Sequence, residues 1–592
     1  MTTEPTGKTP KPKRSGKKPA VEGPVTVRWE LADLPSAQHR AGLAGLVLMA
    51  QWLPRSTTPK RGVCEVVALD ADGATLRFDE EGMGWLFDEL YAASWEENVE
   101  NQIRKNKQKQ EVAPKRTDER VQVDPKTGKE KRKTVYVYDV VVPRGGVLVD
   151  AEPNKDERGP WVRMWRNMVW TILRGKPATR APFEARADKA RAEAPPPVAE
   201  TSGDGADAFA QLAGDPAKSV DLPSTYYLGA MARTAENVGF RDRARQQFLL
   251  HFWPYAAQVY VPEVVDPKEG RKQQVGFALA IPEVSNLEVF CAVLPEVLRT
   301  SRKSDVWGFR PREALIDLAL ESALDLGERL RAAVSAREGG KDTSVAMTAV
   351  EVLHVDKQGN NVNVLSTARI APTLELEGER RRIREGCVDP MYRRQRLLNL
   401  LAGREWWWGF DRLFETTPYK SKGEALRPGQ GVGASTFCRD AREQFRRREE
   451  TMKKTNDGGE RRDEDLELAV WDVVKGYVNR RAASRLREPY DGLFDKAKAD
   501  PGFGKKLQEE KQRVAMDAFL QVRGRQEDDF TQYFAETLCS VPQFMNEARY
   551  RTLHAGLRDE GAREKVRTLT LLALSAARWV PGEKKSAEGG DD

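Results

Sequence analysis

Six consecutive residues, Leu249-Leu250-His251-Phe252-Trp253-Pro254, constrain this chain more than any other stretch. Bulky side chains crowd ahead of a proline that stops a helix. The run beyond, Gln258 to Val265, is rich in Val and Tyr and reads as a strand. Segments this apolar and aromatic are buried. The block from Ser224 to Pro262 is therefore expected to anchor the fold, with His251 and Trp253 as structural residues.

Several classes of protein are excluded at the outset. No apolar run approaches the roughly 20 residues that a membrane span needs, and Ala41 to Leu53 reads as a buried helix. Met1 to Pro24 has no apolar core of a secretory signal and reads as a basic, disordered tail. The five cysteines, Cys64, Cys291, Cys387, Cys438 and Cys539, lie far apart, which argues against a disulfide framework or a zinc site. Free thiols fit a reducing cytoplasm.

The elements alternate in type. Val25 to Leu34 reads as a strand and turn, and Ser36 caps a helix in which Ala37, Ala41 and Gly45 repeat a small residue every fourth position. That spacing admits close approach of another backbone, and His39 beside it reads as structural. Gly62 to Asp79 reads as a hairpin turning at Asp70-Ala71-Asp72-Gly73, and Glu81 to Ser94 as an amphipathic helix. TVYVYDVVVP reads as a strand following a turn at Asp124–Lys129. A helix opens at Pro160 and stops at Gly175, with Trp161, Trp165, Met168 and Ile172 on one face. Lys176 to Pro223 is a connector, either disordered or carrying only short helical pieces. Two hairpins flank two helices (about Asn286–Arg302 and Pro311–Ala336) in the middle region. From Asp389 onward only helices recur, including Pro390–Leu401, Arg404–Phe414, Ala434–Thr451, Asp463–Leu486, Gly504–Leu538 and Ala562–Ala577.

The expected fold class is thus α+β: mixed N-terminal and middle regions with short antiparallel hairpins, then an all-α bundle. The expected division is a basic tail (1–24), an N-terminal α+β domain (25–175), a Pro/Ala-rich connector (176–223), a middle α+β domain (224–388), a helical bundle (389–580) and a second tail (581–592).

Catalytic motifs are missing. The four histidines, His39, His251, His354 and His554, form no metal-binding spacing, and no nucleophile elbow or P-loop occurs. Gly429, Gly431 and Gly433 lack the preceding strand of a nucleotide fold and read as a loop before a helix capped by Ser435. The acidic runs Asp463-Glu464-Asp465 and Glu527-Asp528-Asp529 read as solvated helix faces. No catalytic residue, metal ligand or cofactor is assigned.

Charge carries the stronger signal. Arg104 to Lys133 holds twelve basic and five acidic residues, an excess equal to the net +7 of the whole chain. Further arginines cluster at Arg380, Arg381, Arg382 and Arg384; at Arg393, Arg394 and Arg396, just before Trp406, Trp407 and Trp408; at Arg442, Arg446, Arg447 and Arg448; and at Arg480, Arg481, Arg485 and Arg487. Separated basic patches beside aromatics suit an extended polyanion.

SAQHRAGLAGLV, PATRAPFEAR, STYYLGAMARTAENV and LLHFWPYAAQVYVPEVVD, in that order along the chain, resemble the large subunit of type I CRISPR effector complexes (Cascade), MYXAN-type branch. The resemblance spans about Arg28 to Trp579 and implies a non-catalytic role. Such subunits contact the guide RNA 5′ end, read a protospacer-adjacent motif in double-stranded target DNA and help open the duplex. Their helical part lines the path of the displaced single strand, beside the Cascade backbone subunits, and a separate nuclease-helicase is recruited. Lys105, Lys107, Lys109, Arg132 and Lys133 are then expected on duplex or guide backbone, and Arg442, Arg446, Arg480 and Arg481 on the displaced strand. In related systems an internal start supplies a small helical subunit, and Met452 and Met516 are in-frame candidates. Two other classes stay open: a metal-dependent nuclease using dispersed carboxylates such as Asp266 with Glu283, and a scaffold without nucleic-acid contact.

Overall fold

The computed structural model describes residues 23–105, 109–123, 130–151, 159–173, 180–191, 203–221, 241–265, 272–299, 306–307, 310–311, 314–338, 346–358, 361–416, 437–456 and 465–579. Among them the architecture is α+β. Strands and helices share a first apolar core reaching from Val27 to Val355, and helices alone build a second from Met391 to Ala576.

The first core starts from a small antiparallel sheet. Strands β1 (Val25–Glu30), β2 (Cys64–Leu69) and β3 (Gly73–Phe78) run in the order β1-β3-β2. The β2–β3 turn is closed by Asp70, whose Oδ1 accepts from the backbone N–H groups of Asp72 and Gly73. Helix α1 (Ala37–Trp52) starts where Ser36 Oγ accepts from the His39 backbone N–H. The His39 ring spans Ser36 Oγ and Asp242 Oδ2, each at 2.8 Å, so it is the satisfied structural histidine expected. Helix α2 (Glu80–Leu90) is capped by Asp79.

The small residues of α1 do admit a neighbouring backbone, but Gly42 and Gly45 make the approach. A methyl group on Gly42 would lie 2.3 Å from the Leu249 carbonyl oxygen, and one on Gly45 2.1 Å from that of Phe252. The LLHFWP run is thereby clamped onto α1, with Leu249, Leu250, Phe252 and Trp253 buried. The ring that joins it to the rest is Phe248, just ahead of it. Phe248 stacks on Trp29 and Phe87 and meets Phe78 and Phe252 edge-on, with centroids 5.2–6.2 Å apart. The STYYLGAMARTAENVGF half of the block lies outside the described residues.

Helix α3 (Pro160–Asn167) continues as a wider turn over Met168–Leu173, and Trp161, Trp165, Met168 and Ile172 are buried as expected. The described part of the connector supplies two short helices, α4 (Ala181–Arg191) and α5 (Asp204–Ala213). Both belong to the first core: Phe183, Phe209 and Leu212 are buried in it, and the buried Arg186 guanidinium bonds Asp88 and Asp204 at 3.0 Å.

Three more strands form a second antiparallel sheet: β4 (Ala93–Glu100), β5 (Arg116–Val123) and β6 (Glu130–Pro143), in the order β4-β6-β5. The central sheet runs β8-β7-β9-β10-β11, from β7 (Gln258–Val265), β8 (Lys272–Gln274), β9 (Phe277–Val284), β10 (Met347–Gln358) and β11 (Asn361–Ile370). Strands β7 and β9 are buried on both faces, which is why their sequences run apolar without alternating. Helices α6 (Leu287–Arg299) and α7 (Glu321–Glu338) join β9 to β10. The second of them starts later than expected, because Leu315–Ile316 pairs in parallel with β7.

The second core is helical: α8 (Leu374–Gly386) and α9 (Pro390–Leu401) lead into α10 (Cys438–Asn456), α11 (Leu466–Leu486), α12 (Leu493–Ala499), α13 (Pro501–Arg523), α14 (Glu547–Arg558) and α15 (Glu560–Ala577). Helix α15 is buried continuously from Val566 to Ala576, as a central helix must be. The single helix expected over Gly504–Leu538 is broken at Gly524, after α13. The carbonyls of Arg523 and Arg525 accept instead from the buried Arg567 guanidinium, which satisfies the freed helix end. Arg404–Phe414 also differs, since the helix there is Phe410–Thr416. A product starting at Met452 would omit the core residues Phe437, Ala441 and Phe445, and one starting at Met516 would divide α13.

Candidate nucleic-acid interface

The charge excess of Arg104–Lys133 folds into a projecting ribbon. Strand β6 has 14 residues, a reach of roughly 45 Å at about 3.3 Å per residue. Its second half pairs with β4 from Tyr136 to Pro143, while its first half pairs with β5 alone. Beyond Val135 the sheet is therefore a two-stranded arm. Arg120 stands directly opposite Lys133 on it, and Val121 opposite Arg132. Arg120, Arg132 and Lys133 are all exposed. Like charges facing each other across strands modestly destabilise a ribbon, and an anion between Arg120 and Lys133 would offset that repulsion.

The root of the arm is neutralised. Arg116 pairs with Glu97 at 2.6 Å and Asp118 at 3.0 Å, and Lys115 with Glu97 and Asp139 at 3.1 Å. These hydrogen-bonded cations hold the carboxyls of Glu97 and Asp139 below the usual range. The Arg104–Val112 loop closes on the sheet through Tyr138, whose OH accepts from the Arg104 N–H and donates to the Val112 carbonyl. That contact places the exposed Lys105 and Lys109 at the foot of the arm. Among the described residues Lys105, Lys109, Arg120 and Lys133 have no acid at ion-pair distance, and Arg132 has only Glu119 at 4.0 Å. Lys107 and the Asp124–Lys129 turn lie outside the described residues. Charge counting does not single out Arg120, because only the strand register reveals its partner.

The arginines between 380 and 396 do something else. Arg380 is buried and bonds Glu321, Asp325 and Glu328 at 3.2, 2.7 and 3.0 Å. Arg384 reaches Glu321 at 2.6 Å, Arg393 reaches Asp317 at 2.6 Å, and Arg396 reaches Glu379 at 3.1 Å. Their carboxylates come largely from the chain around α7, so this basic run is an ion-paired joint between α7 and α8–α9. A one-dimensional count of positive charge could not reveal counterions some 60 residues upstream. Arg394 is half-buried, and burial lowers its affinity for the proton. Trp406 and Trp407 are tied inward as well, Trp406 Nε1 donating to Glu467 at 3.0 Å.

On the helical side, Arg442 lies 4.7 Å above the Trp471 ring, and Arg446 is held between Glu443 and Glu450 on α10. Arg480 and Arg481 are exposed on α11; Arg480 bonds the Gln543 side chain.

The groups considered for catalysis are occupied. His251 Nδ1 meets Tyr91 OH at 2.6 Å, and His354 Nε2 meets the Val275 carbonyl at 2.8 Å. His554 stacks on Tyr550. Glu283 is bound by Arg40 and Arg369, while Asp266 lies outside the described residues. Asp465 caps α11 and pairs with Arg448, and Glu527, Asp528 and Asp529 form the first turn of the helix Glu527–Tyr533. Gly429–Gly433 and Ser435 are outside the described residues. Among the described residues no group of three His, Cys, Asp or Glu could hold a metal ion, and no helix is long and apolar enough to cross a membrane. All five cysteines are free, and burial pushes the Cys64 thiol up to about 12.

Comparison with known families gives two matches that meet between α7 and β10, so that the last two strands of the central sheet fall in the second. Residues 63–340 match the Type I-B CRISPR Cas8b N-terminal domain, and residues 347–577 match the Type I-B CRISPR Cas8b C-terminal domain. A search of the curated proteins found no match. Matched over most of its length by both halves of one family, the chain belongs to the Type I-B CRISPR Cas8b family, as a large subunit of a type I CRISPR effector complex.

Proposed function

We propose that the protein is the non-catalytic large subunit of an RNA-guided DNA surveillance complex in the cytoplasm. It contacts the guide RNA 5′ end, reads a protospacer-adjacent motif in duplex DNA and stabilises the opened target. Its partners are the Cascade backbone subunits and a recruited nuclease-helicase. The observation that carries this reading is the arm: a two-stranded ribbon with exposed cations that outnumber the acids beside them, in a chain of this family. A two-stranded β-ribbon is an element that a DNA major groove admits. Phosphate contacts from such cations set affinity and position, while guide pairing supplies most of the sequence reading.

Replacing Lys105, Lys109, Arg120, Arg132 and Lys133 together with glutamine should weaken duplex binding by at least about a hundredfold. It should also reduce the slope of log K against log salt by about 0.9 for each phosphate that is no longer neutralised. Because these side chains are exposed, the thermal midpoint should hold within the range expected for surface changes. Filter binding across a salt series measures both. Wild-type affinity and slope in the variant would remove the arm from the interface.

A further inference from the structure

The bundle contains a half-buried ammonium, Lys511 on α13, with no counterion among the described residues. Its Nζ sits 4.6 Å from the centroid of Phe494 on α12, an exposed ring. Phe494 meets Tyr490 edge-on, and Tyr490 meets Phe544, which lies against Gly476 of α11. Lys475 and Arg480 lie on either side of Gly476 along that helix. The result is a short row of aromatic edges bordered by cations.

Most neighbouring acids are committed elsewhere; Asp491, next to Tyr490, has no ion pair among the described residues, but no acid is among the groups acting on Lys511. Asp472 is bonded by Arg549 at 2.8 Å, Glu488 by Lys496 at 2.5 Å, and Glu510 by Arg513 at 2.6 Å with Arg485 at 3.8 Å. The charged group that acts on Lys511 is a second cation, Lys475. Burial, reinforced by Lys475, pushes the Lys511 ammonium down to about 8. A methionine would pack the same stem without desolvating a charge. The charge is therefore a cost to the isolated fold that a bound anion would remove.

The geometry points to Lys511 as a phosphate seat for a single-stranded nucleic acid, with Lys475 beside it and bases stacking on Phe494 and Tyr490. The inference rests on the nucleic-acid reading above and adds a specific site to it. Stacking on ring faces and contacts to point cations do not discriminate between bases, so recognition there is independent of sequence.

The test uses the full chain with fluorescent oligo-dT and oligo-rU strands. Lys511→Met should weaken binding about tenfold or more and flatten the salt slope by about 0.7, while its unfolding temperature stays level or rises. Phe494→Ala should weaken binding about fivefold or more, and Phe494→Trp should retain it. From pH 7 to 9 the wild-type affinity should fall as the Lys511 ammonium deprotonates, and Lys511→Arg should abolish that component because arginine stays charged. Loss on either strand supports the site and identifies the strand. Wild-type affinity in both Lys511→Met and Phe494→Ala would overturn the site and leave the functional reading standing. A lower unfolding temperature in Lys511→Met would make the lysine structural and likewise overturn it. No binding of either strand by the wild type would overturn the site and the functional reading together.

Discussion

Arg380→Ala should lower stability by about 3–5 kcal/mol, the cost of leaving buried charges without a partner. Glu321 is fully buried, and Arg380 and Arg384 supply its ion pairs. Asp325 accepts from Arg380, Arg329 and Tyr260 OH. Urea denaturation should show the loss as a shift in midpoint. Replacing Arg380, Glu321 and Asp325 together with apolar residues of similar size should cost less than the sum of the single changes, because the most deeply buried ions leave together, while Arg384, Arg329 and Tyr260 OH each give up one partner. If the single variant matches the wild type, the joint is not held by this network.

The same network sets an acid response. Burial works against the Asp325 carboxylate, but Arg329 and Arg380 outweigh it and hold the group below its ordinary range. A carboxyl with a depressed folded pKa contributes stability above its unfolded pKa and loses it as pH falls through the folded one. The contribution is therefore complete near neutral pH and fades below the ordinary aspartate range. Arg380→Ala should flatten that part of the pH–stability curve.

Gly45→Ala should destabilise by about 3 kcal/mol, the upper part of the usual cost of overpacking. The added methyl would meet the Phe252 carbonyl oxygen at 2.1 Å, and both partners are backbone, so no rotamer change relieves the clash. Alanine gains about 1 kcal/mol over glycine in helix propensity, too little to reverse the sign. Gly84→Ala in α2, where no atom lies within 4 Å of the new methyl, should keep that gain and serves as the control. Thermal unfolding of the two variants should shift in opposite directions, and an unchanged midpoint for Gly45→Ala would refute the close packing of α1 on the LLHFWP run.

The elements legible in the sequence share one property: their signal is local. Strand Gln258–Val265 and helix Pro390–Leu401 fall where the sequence puts them, residue for residue, because apolar runs, a capping Asp389 and Pro390 lie within a few residues of each other. The Arg104–Lys133 excess is equally visible as composition. The arginines at 380–396 look the same by count yet form an internal joint, since their acids come mainly from residues 317–328. Lys511 is invisible in the sequence, where it is a single lysine within the charged run QEEKQR; its burial and its neighbours come from three different helices.

By itself, then, the chain's order of residues determined the α+β-to-helical plan, the family likeness, and the presence of more cation than acid between Arg104 and Lys133. Periodicity, capping and local charge are short-range properties, and the sequence displays them directly. Only the tertiary structure decided which cations remain without a counterion. Arg120 faces Lys133 through strand register, Arg380 meets Glu321 across 59 positions, and Lys511 is half-buried with another cation, Lys475, acting on it. Coulomb interactions depend on distance in space and on desolvation, so charge becomes a binding surface or a structural joint only once the chain has folded.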